Sequence, residues 1–439
     1  MMRLSAQVTE SYAIAYPNPI KLKEGELVKI EKWEPKDSDW AGWAFCVDQR
    51  GVKGWVSEKY LRVDGNSAVA ICNYAATELS VQSGETVEVH HQEFGWAWVE
   101  NANGGQGWVP LKVLKLPASP IAVNYNAELE VSLRYLASPQ AVESLEADAY
   151  WPKWDSPWWH MLLLHEMGET KRIPAQAIET CIASLNKMPV KIFPIQPEDM
   201  PAGVDPYRGT PCHCQLGNIY QVLSAWGVNV DKELPWIRPW FLRYQMGDGG
   251  LNCDNEAYLV KEEVPSSMVG MIAVFEAVLL HTPRDWTAEE KEFLDKGARF
   301  LMERKLMLGS PTKHNADERE SAKKWVHLCF PRFYFYDVLR GLNALLIWSE
   351  KTGQTVPKES IREVLSLFEE RFPDGQPRCE RLSYEGTGTI LQAPSGEWLR
   401  RQPATFFPLL QKTSVLGEVS PFLSQQWAQA KKRITESKV

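Results

Sequence analysis

Clustered positive charge is what this chain most clearly lacks: its 439 residues carry 48 Lys and Arg against 56 Asp and Glu, a net charge of -8, and no basic run stands out. Phosphate backbones are bound by clustered cations, so nucleic acid is excluded as a main partner. Long apolar runs are missing as well. The opening MMRLSAQVTESYA has one Arg but no apolar segment of signal-peptide length, and no later stretch is apolar enough to span a bilayer. The expectation is a cytoplasmic protein with no integral membrane segment. Cysteine is not arranged as a small secreted framework either. Cys46, Cys72, Cys181, Cys212, Cys214, Cys253, Cys329 and Cys379 are scattered through a long chain and read as reduced thiols. The polar composition of disorder is also absent, because 44% hydrophobic and 24% charged residues allow a large core. The length exceeds what one core organises, which implies two or three domains. Tryptophan is in excess, with 19 residues spread over both parts of the chain.

The first part is a repeat. Gly54-Trp55-Val56-Ser57-Glu58-Lys59-Tyr60-Leu61 and Gly107-Trp108-Val109-Pro110-Leu111-Lys112-Val113-Leu114 end two units alike, over residues 5–64 and 67–116. Within the units, Glu26-Leu27-Val28-Lys29-Ile30 and Thr86-Val87-Glu88-Val89 alternate polar and apolar as half-buried strands do. Small antiparallel barrels fit this rhythm.

The second unit resembles Src-homology-3 (SH3) domains. Ala70-Ile71-Cys72-Asn73-Tyr74 stands where the ALYDY motif belongs, followed by Gly84-Glu85, Gly95-Trp96-Ala97-Trp98 and the GWVP end. The first unit resembles a bacterial variant through Tyr16-Pro17-Asn18-Pro19, Trp40-Ala41-Gly42-Trp43 and GWVSEKYL. The resemblance implies a groove in which aromatic rings receive a preformed polyproline helix at little entropic cost. Carried over by position, Tyr74, Trp96 and Pro110 would line it in the second unit and Tyr60 in the first. Cys72 and Val113 stand where Tyr is expected, and Ser57 where the groove Pro is expected. A peptide partner and a partner within the chain therefore both remain open.

Leu116-Pro117-Ala118-Ser119-Pro120 breaks the strand pattern, since proline lacks the ladder donor. Residues 117–150 read as a connector, with a helical stretch around Pro139 to Ala147. From residue 151 to 433, apolar positions recur three and four apart, as in Met268, Met271, Ile272, Phe275, Val278 and Leu279. The helices come in pairs, an apolar one and a more charged one. Gly168, Gly227 and Gly353 suit left-handed caps, and Pro174, Pro235 and Pro357 suit first-turn positions.

Tyr244-Gln245-Met246-Gly247-Asp248-Gly249-Gly250-Leu251-Asn252-Cys253 resembles the Gln-Asp-Gly-Gly-Trp signature of squalene-cyclase and prenyltransferase repeats, with Leu251 where Trp is usual. Phe330-Pro331 and Tyr336-Asp337-Val338-Leu339-Arg340-Gly341-Leu342 resemble a second segment of cyclase-like proteins. The fold class so implied is multidomain: two small all-β SH3-like barrels plus an all-α α/α-toroid of the terpenoid cyclase/prenyltransferase kind. Its more apolar helices would face inward around an apolar cavity. Trp154, Trp158, Trp159, Tyr334, Tyr336 and Arg340 are the expected lining for an apolar, isoprenoid-like ligand, because ring faces stabilise cations. The DxDD and DDxxD motifs of the two conventional routes to a carbocation are absent. Asp337, one helical turn before Arg340, and Asp248 in the Asp-Gly-Gly turn are the remaining catalytic candidates.

Zinc is the cofactor candidate. Cys212-His213-Cys214 opens one expected inner helix and Cys253-Asp254 lies just beyond its partner helix. Thiolate, imidazole and carboxylate are the donors that tetrahedral zinc prefers. The resemblance adds that protein prenyltransferases and lanthionine synthetase cyclases place zinc in this fold to activate a thiol. The prenyltransferase histidine falls near Phe335, however, and the glycine of the cyclase Cys-His-Gly segment falls at Cys214. Three functions follow: a toroid holding an apolar ligand with barrels for docking or self-regulation, zinc-dependent thiol chemistry, or a non-catalytic interaction protein.

Overall fold

The computed structural model of the chain describes residues 4–35, 42–93, 95–115, 124–191, 195–384 and 388–436. Trp40 and Ala41 of the first motif and the proline segment at 116–120 lie outside them. The chain divides into two compact units, residues 1–123 and 124–439.

The first unit is all β. Its strands are β1 (Leu4–Val8), β2 (Lys21–Leu22), β3 (Leu27–Trp33), β4 (Trp43–Asp48), β5 (Lys53–Ser57) and β6 (Leu61–Asp64), then β7 (Ser67–Ala70), β8 (Tyr74–Ala75), β9 (Thr86–Glu93), β10 (Trp96–Asn101), β11 (Gln106–Pro110) and β12 (Leu114–Lys115). They form two five-stranded antiparallel sheets, in the orders β5-β4-β3-β7-β6 and β11-β10-β9-β1-β12, plus the β2-β8 pair.

These sheets do not follow the two sequence repeats. β1, from the first repeat, pairs with β9 (Leu4 opposite Val89, Gln7 opposite Thr86) and with β12 in the second barrel. β7, from the second repeat, pairs with β3 (Leu27 opposite Val69) and β6 in the first barrel. Each barrel thus takes its opening strand from the other repeat. Burial explains why either strand serves: Ala6 and Val8 point inward from β1 as Ala68 and Ala70 do from β7, the period-2 alternation of a one-sided strand. Ala6 and Val8 join a core with Val87, Val89, Ala97 and Val99, and Ala68 and Ala70 join one with Val28, Ile30, Ala44 and Val56. The barrels also meet through Trp43 of β4 and Trp108 of β11, edge to face at 5.6 Å.

The second unit is mainly helical. It opens with α1 (Asn126–Leu136), α2 (Pro139–Ala147), α3 (Pro157–Glu166), α4 (Ala175–Asn186), α5 (Pro206–Gly209) and α6 (His213–Trp226). There follow α7 (Val230–Glu233), α8 (Ile237–Arg243), α9 (Met268–Leu280), α10 (Ala288–Glu303), α11 (Glu318–Ala322), α12 (Val338–Thr352) and α13 (Lys358–Arg371). A hairpin of β13 (Thr389–Gln392) and β14 (Trp398–Gln402), unforeseen in the sequence, precedes α14 (Pro408–Thr413) and α15 (Pro421–Glu436).

Pairing of apolar with charged helices is observed. Eight successive residues of α3, Pro157 to Leu164, are buried, whereas α4 buries only Ala177, Ile178, Cys181 and Leu185. The same contrast separates α9 from α10 and α12 from α13. A helix apolar all round needs neighbours on every side. α3 packs on α6, α6 on α9, α9 on α12 and α12 on α15, while α14 packs on α1. Gly227 and Gly353 cap α6 and α12 in the left-handed region at φ 117° and 71°. Within the expected connector, the helical stretch Pro139–Ala147 is α2, α1 precedes it without having been foreseen, and Leu129, Leu136 and Leu145 enter the helical core. Their apolar spacing suits a helix, but the proline segment before them masks the start of a new unit.

Candidate metal centre

Cys212 is the N-cap residue of α6, in extended conformation, so His213 and Cys214 occupy the first turn. Cys253 arrives from the loop after α8, anchored where Leu251 bridges to Ser267. The three sulfur atoms lie within 4.8 Å of one another. Cys212 and Cys214 Sγ are 3.2 Å apart, and the Cys214 backbone N–H donates to Cys253 Sγ at 3.3 Å. Hydrogen bonds from the Cys214 and Cys253 thiols, with the Gln215 backbone N–H, hold the Cys212 thiol well below its ordinary pKa. A helix N-terminus favours a thiolate in the same direction. Donating hydrogen bonds to Cys212 pushes the Cys214 and Cys253 thiols upward, and burial and the neighbouring sulfur charge add to it.

The other two expected ligands turn away. His213 Nδ1 donates to the Asn252 carbonyl at 2.6 Å, and its Nε2 accepts from Trp240 Nε1 at 3.1 Å. Both ring nitrogens are therefore committed, and burial pushes the imidazole down to about 4. Asp254 Oδ2 lies 2.7 Å from His314 Nε2, and its Oδ1 accepts the Glu256 N–H. The sequence offers five ligand candidates; the fold gathers three thiols.

A group that sequence reasoning missed stands beside them. Lys153 Nζ donates to the Tyr334 hydroxyl at 3.0 Å and faces the rings of Tyr334, Trp151 and Trp154 at 4.6, 5.1 and 5.2 Å. Among the described residues it has no carboxylate ion pair. Burial lowers its pKa, and charge on Cys214, Cys212 and Cys253 opposes that shift. A cation held this way needs nearby negative charge, and the sulfurs supply it. The signal was a lone Lys amid Trp151-Pro152-Lys153-Trp154.

The expected acids serve the scaffold. Asp337 has no exposed surface. It caps α12 by accepting the Arg340 N–H at 2.9 Å and pairs with Arg332 Nε at 2.7 Å. Asp248 accepts the Gly250 N–H at 3.1 Å and the Ser266 hydroxyl. The expected cavity wall is packed upon itself. Trp154 stacks on Phe333 at 5.4 Å and Tyr334 at 5.6 Å and meets Trp159 at 4.3 Å. Trp158 is buried, and the Tyr336 hydroxyl donates to the Leu306 carbonyl. Arg340 grips Glu276 at 2.6 Å and donates to the Phe333 and Phe335 carbonyls. None of these residues lines the clefts bounded by Asp148, Arg208 and Gln215 or by Glu179 and Ala183.

The expected groove residues are divided by the strand exchange. Tyr74 is buried in the first barrel, its hydroxyl donating to the Trp55 carbonyl and its ring 4.8 Å from that of Tyr60. Tyr60 in turn donates to Glu93 at 2.9 Å. Trp96 and the buried Pro110 face each other across β10 and β11 in the second barrel.

A family model described as a variant SH3 domain matches residues 5–64 and 68–116. The β-rich unit is accordingly SH3-like, and such barrels serve in general as peptide-binding, protein-interaction modules. No curated protein matches the chain. Among the described residues, no helix is long and apolar enough to cross a membrane.

Proposed function

We propose that the chain joins SH3-like docking barrels to an α/α-toroid whose Cys212, Cys214 and Cys253 hold a zinc ion for thiol chemistry in the cytoplasm. The observation that carries this is the convergence of three sulfurs within 4.8 Å, two from one helix start and one from a distant loop. Three sulfurs bound to tetrahedral zinc at about 2.3 Å lie about 3.8 Å apart, within that span. Three protein donors leave a fourth position, and zinc when bound lowers the pKa of a thiol or water placed there. Lys153 offsets the charge of three thiolates. The helical neighbours from α3 through α15, with α14 against α1, suit a closed ring.

The test is elemental analysis of the untagged chain. About one zinc per chain is expected, falling below a tenth of that in Cys214→Ala and Cys253→Ala. Metal-free wild-type protein would remove the proposal. An apolar, isoprenoid-like ligand is the second use of this unit, favoured by its aromatic wealth, and would have to part the ring stack around Trp154. Lipid extraction followed by mass spectrometry of the same sample tests it.

A further inference from the structure

Next to the cysteine triad lies a cleft of about 300 Å³, at the lower end of the roughly 300–1,000 Å³ typical of small-molecule sites. Part of its wall is already committed. Asp148 accepts the Tyr150 and Trp151 N–H groups and pairs with Arg208 at 3.0 Å, and Arg208 stacks on Trp398 at 3.6 Å. Three other lining groups are not. Lys187 and Glu146 are exposed at the mouth, each without an ion-pair partner among the described residues. Gln215 lines the wall with only 8% of its surface exposed, and its side-chain amide has no hydrogen-bond partner among the described residues. The amide opens onto the cleft, so a ligand seated there can take its hydrogen bonds in place of water.

The cleft is tied to the triad through this same residue. Gln215 follows Cys214 in the chain, and its backbone N–H donates to Cys212. Tyr150, which lines the cleft, is close enough to all three cysteines for their charge to act on its hydroxyl. A complementary ligand carries an amide for Gln215, a carboxylate for Lys187, an ammonium for Glu146 and a stem that can lie along Tyr150 and Trp151.

We propose that this cleft binds a small, zwitterionic, amide-bearing thiol, the size of a cysteine-containing dipeptide or tripeptide, with its sulfur toward Cys212, Cys214 and Cys253. The assignment of the sulfur rests on the triad being a thiol-binding zinc centre; the amide and charge contacts do not. It selects a low-molecular-weight substrate, because the opposed charges at the mouth match free peptide termini.

Calorimetric titration of the full chain with reduced glutathione, on protein of measured zinc content, tests this. Saturable binding is expected, at least tenfold weaker in Gln215→Leu and several-fold weaker in Lys187→Glu, a surface change that leaves folding alone. S-methylglutathione should bind at least tenfold more weakly than glutathione. A thermal melt of Gln215→Leu checks that it remains folded. Zinc-loaded protein that ignores millimolar glutathione, or binds it equally in both variants, overturns the cleft assignment and leaves the metal reading standing. Gln215-dependent binding to protein that takes up no zinc upholds the cleft and overturns the metal reading. Equal affinity for the S-methyl compound overturns the placement of the sulfur.

Discussion

At the scale of single residues, the interior of the helical unit is held by buried charges whose removal should be felt well before any effect on chemistry. Asp337→Ala strips α12 of its cap and leaves the Arg332 guanidinium, 4% exposed, without its carboxylate. Breaking such a pair costs roughly 3–5 kcal/mol, so urea unfolding should show a large loss, smaller for Asp337→Asn, which keeps a capping oxygen. Histidine predicts a pH effect. Burial lowers His165 to about 3 and His281 to about 4 from the ordinary 6.5. Below pH 6.5 the unfolded chain takes up protons that the folded one refuses, so each contributes a loss of stability as pH falls. At pH 5.5 that loss is about 1.4 kcal/mol per histidine. Glu166, raised by burial, acts in the opposite direction. The clean measurement is therefore a difference: the stability change between pH 7.5 and 5.5 should be less unfavourable by about 1.4 kcal/mol in His165→Phe than in the wild type. The cysteine triad was legible at this scale because the donor types and the helix start were visible together. His213 and Asp254 were misjudged because residue type carries no direction: each is turned by a partner 27 to 60 residues away.

At the scale of elements, α6 and α9 approach closely at Gly217, where an added Cβ would meet the Ala273 carbonyl carbon at 2.5 Å and the Val274 nitrogen at 2.6 Å. Gly217→Ala gains about 1 kcal/mol of helix propensity. The clash is with backbone that cannot step aside, and overpacking of this kind costs about 1–3 kcal/mol or more. The net expectation is a destabilised unit with an unchanged denaturant slope; a stabilised variant would show that the two helices have room to separate. Strand and helix periods were readable in the sequence, and helix pairing with them. Strand partnership was not. Ala6 and Val8 present the same inward pattern as Ala68 and Ala70, so alternation alone cannot say which barrel receives which strand.

At the scale of the whole molecule, the division at residue 123 means that residues 1–123 carry all the strands of both barrels. A 1–123 fragment should unfold cooperatively by itself, whereas a fragment beginning at residue 67 lacks β1 and should fail to protect the amides of β9 and β12 from hydrogen exchange. A stably protected 67–123 fragment would mean that β7 can return to its own repeat. The repeat boundaries were plain from GWVS and GWVP, yet the folding unit is the pair, because register is decided by contacts some eighty residues apart, such as Gln7 with Thr86.

That exchange also bears on how the chain is born. During synthesis β1 has no binding edge until β9 and β12 follow it out of the ribosome, and the first barrel stays open until β7 and β8 emerge. A strand kept waiting through most of the unit's synthesis exposes an unpaired edge to the crowded cell, and chaperones that shield such edges would meet this protein early.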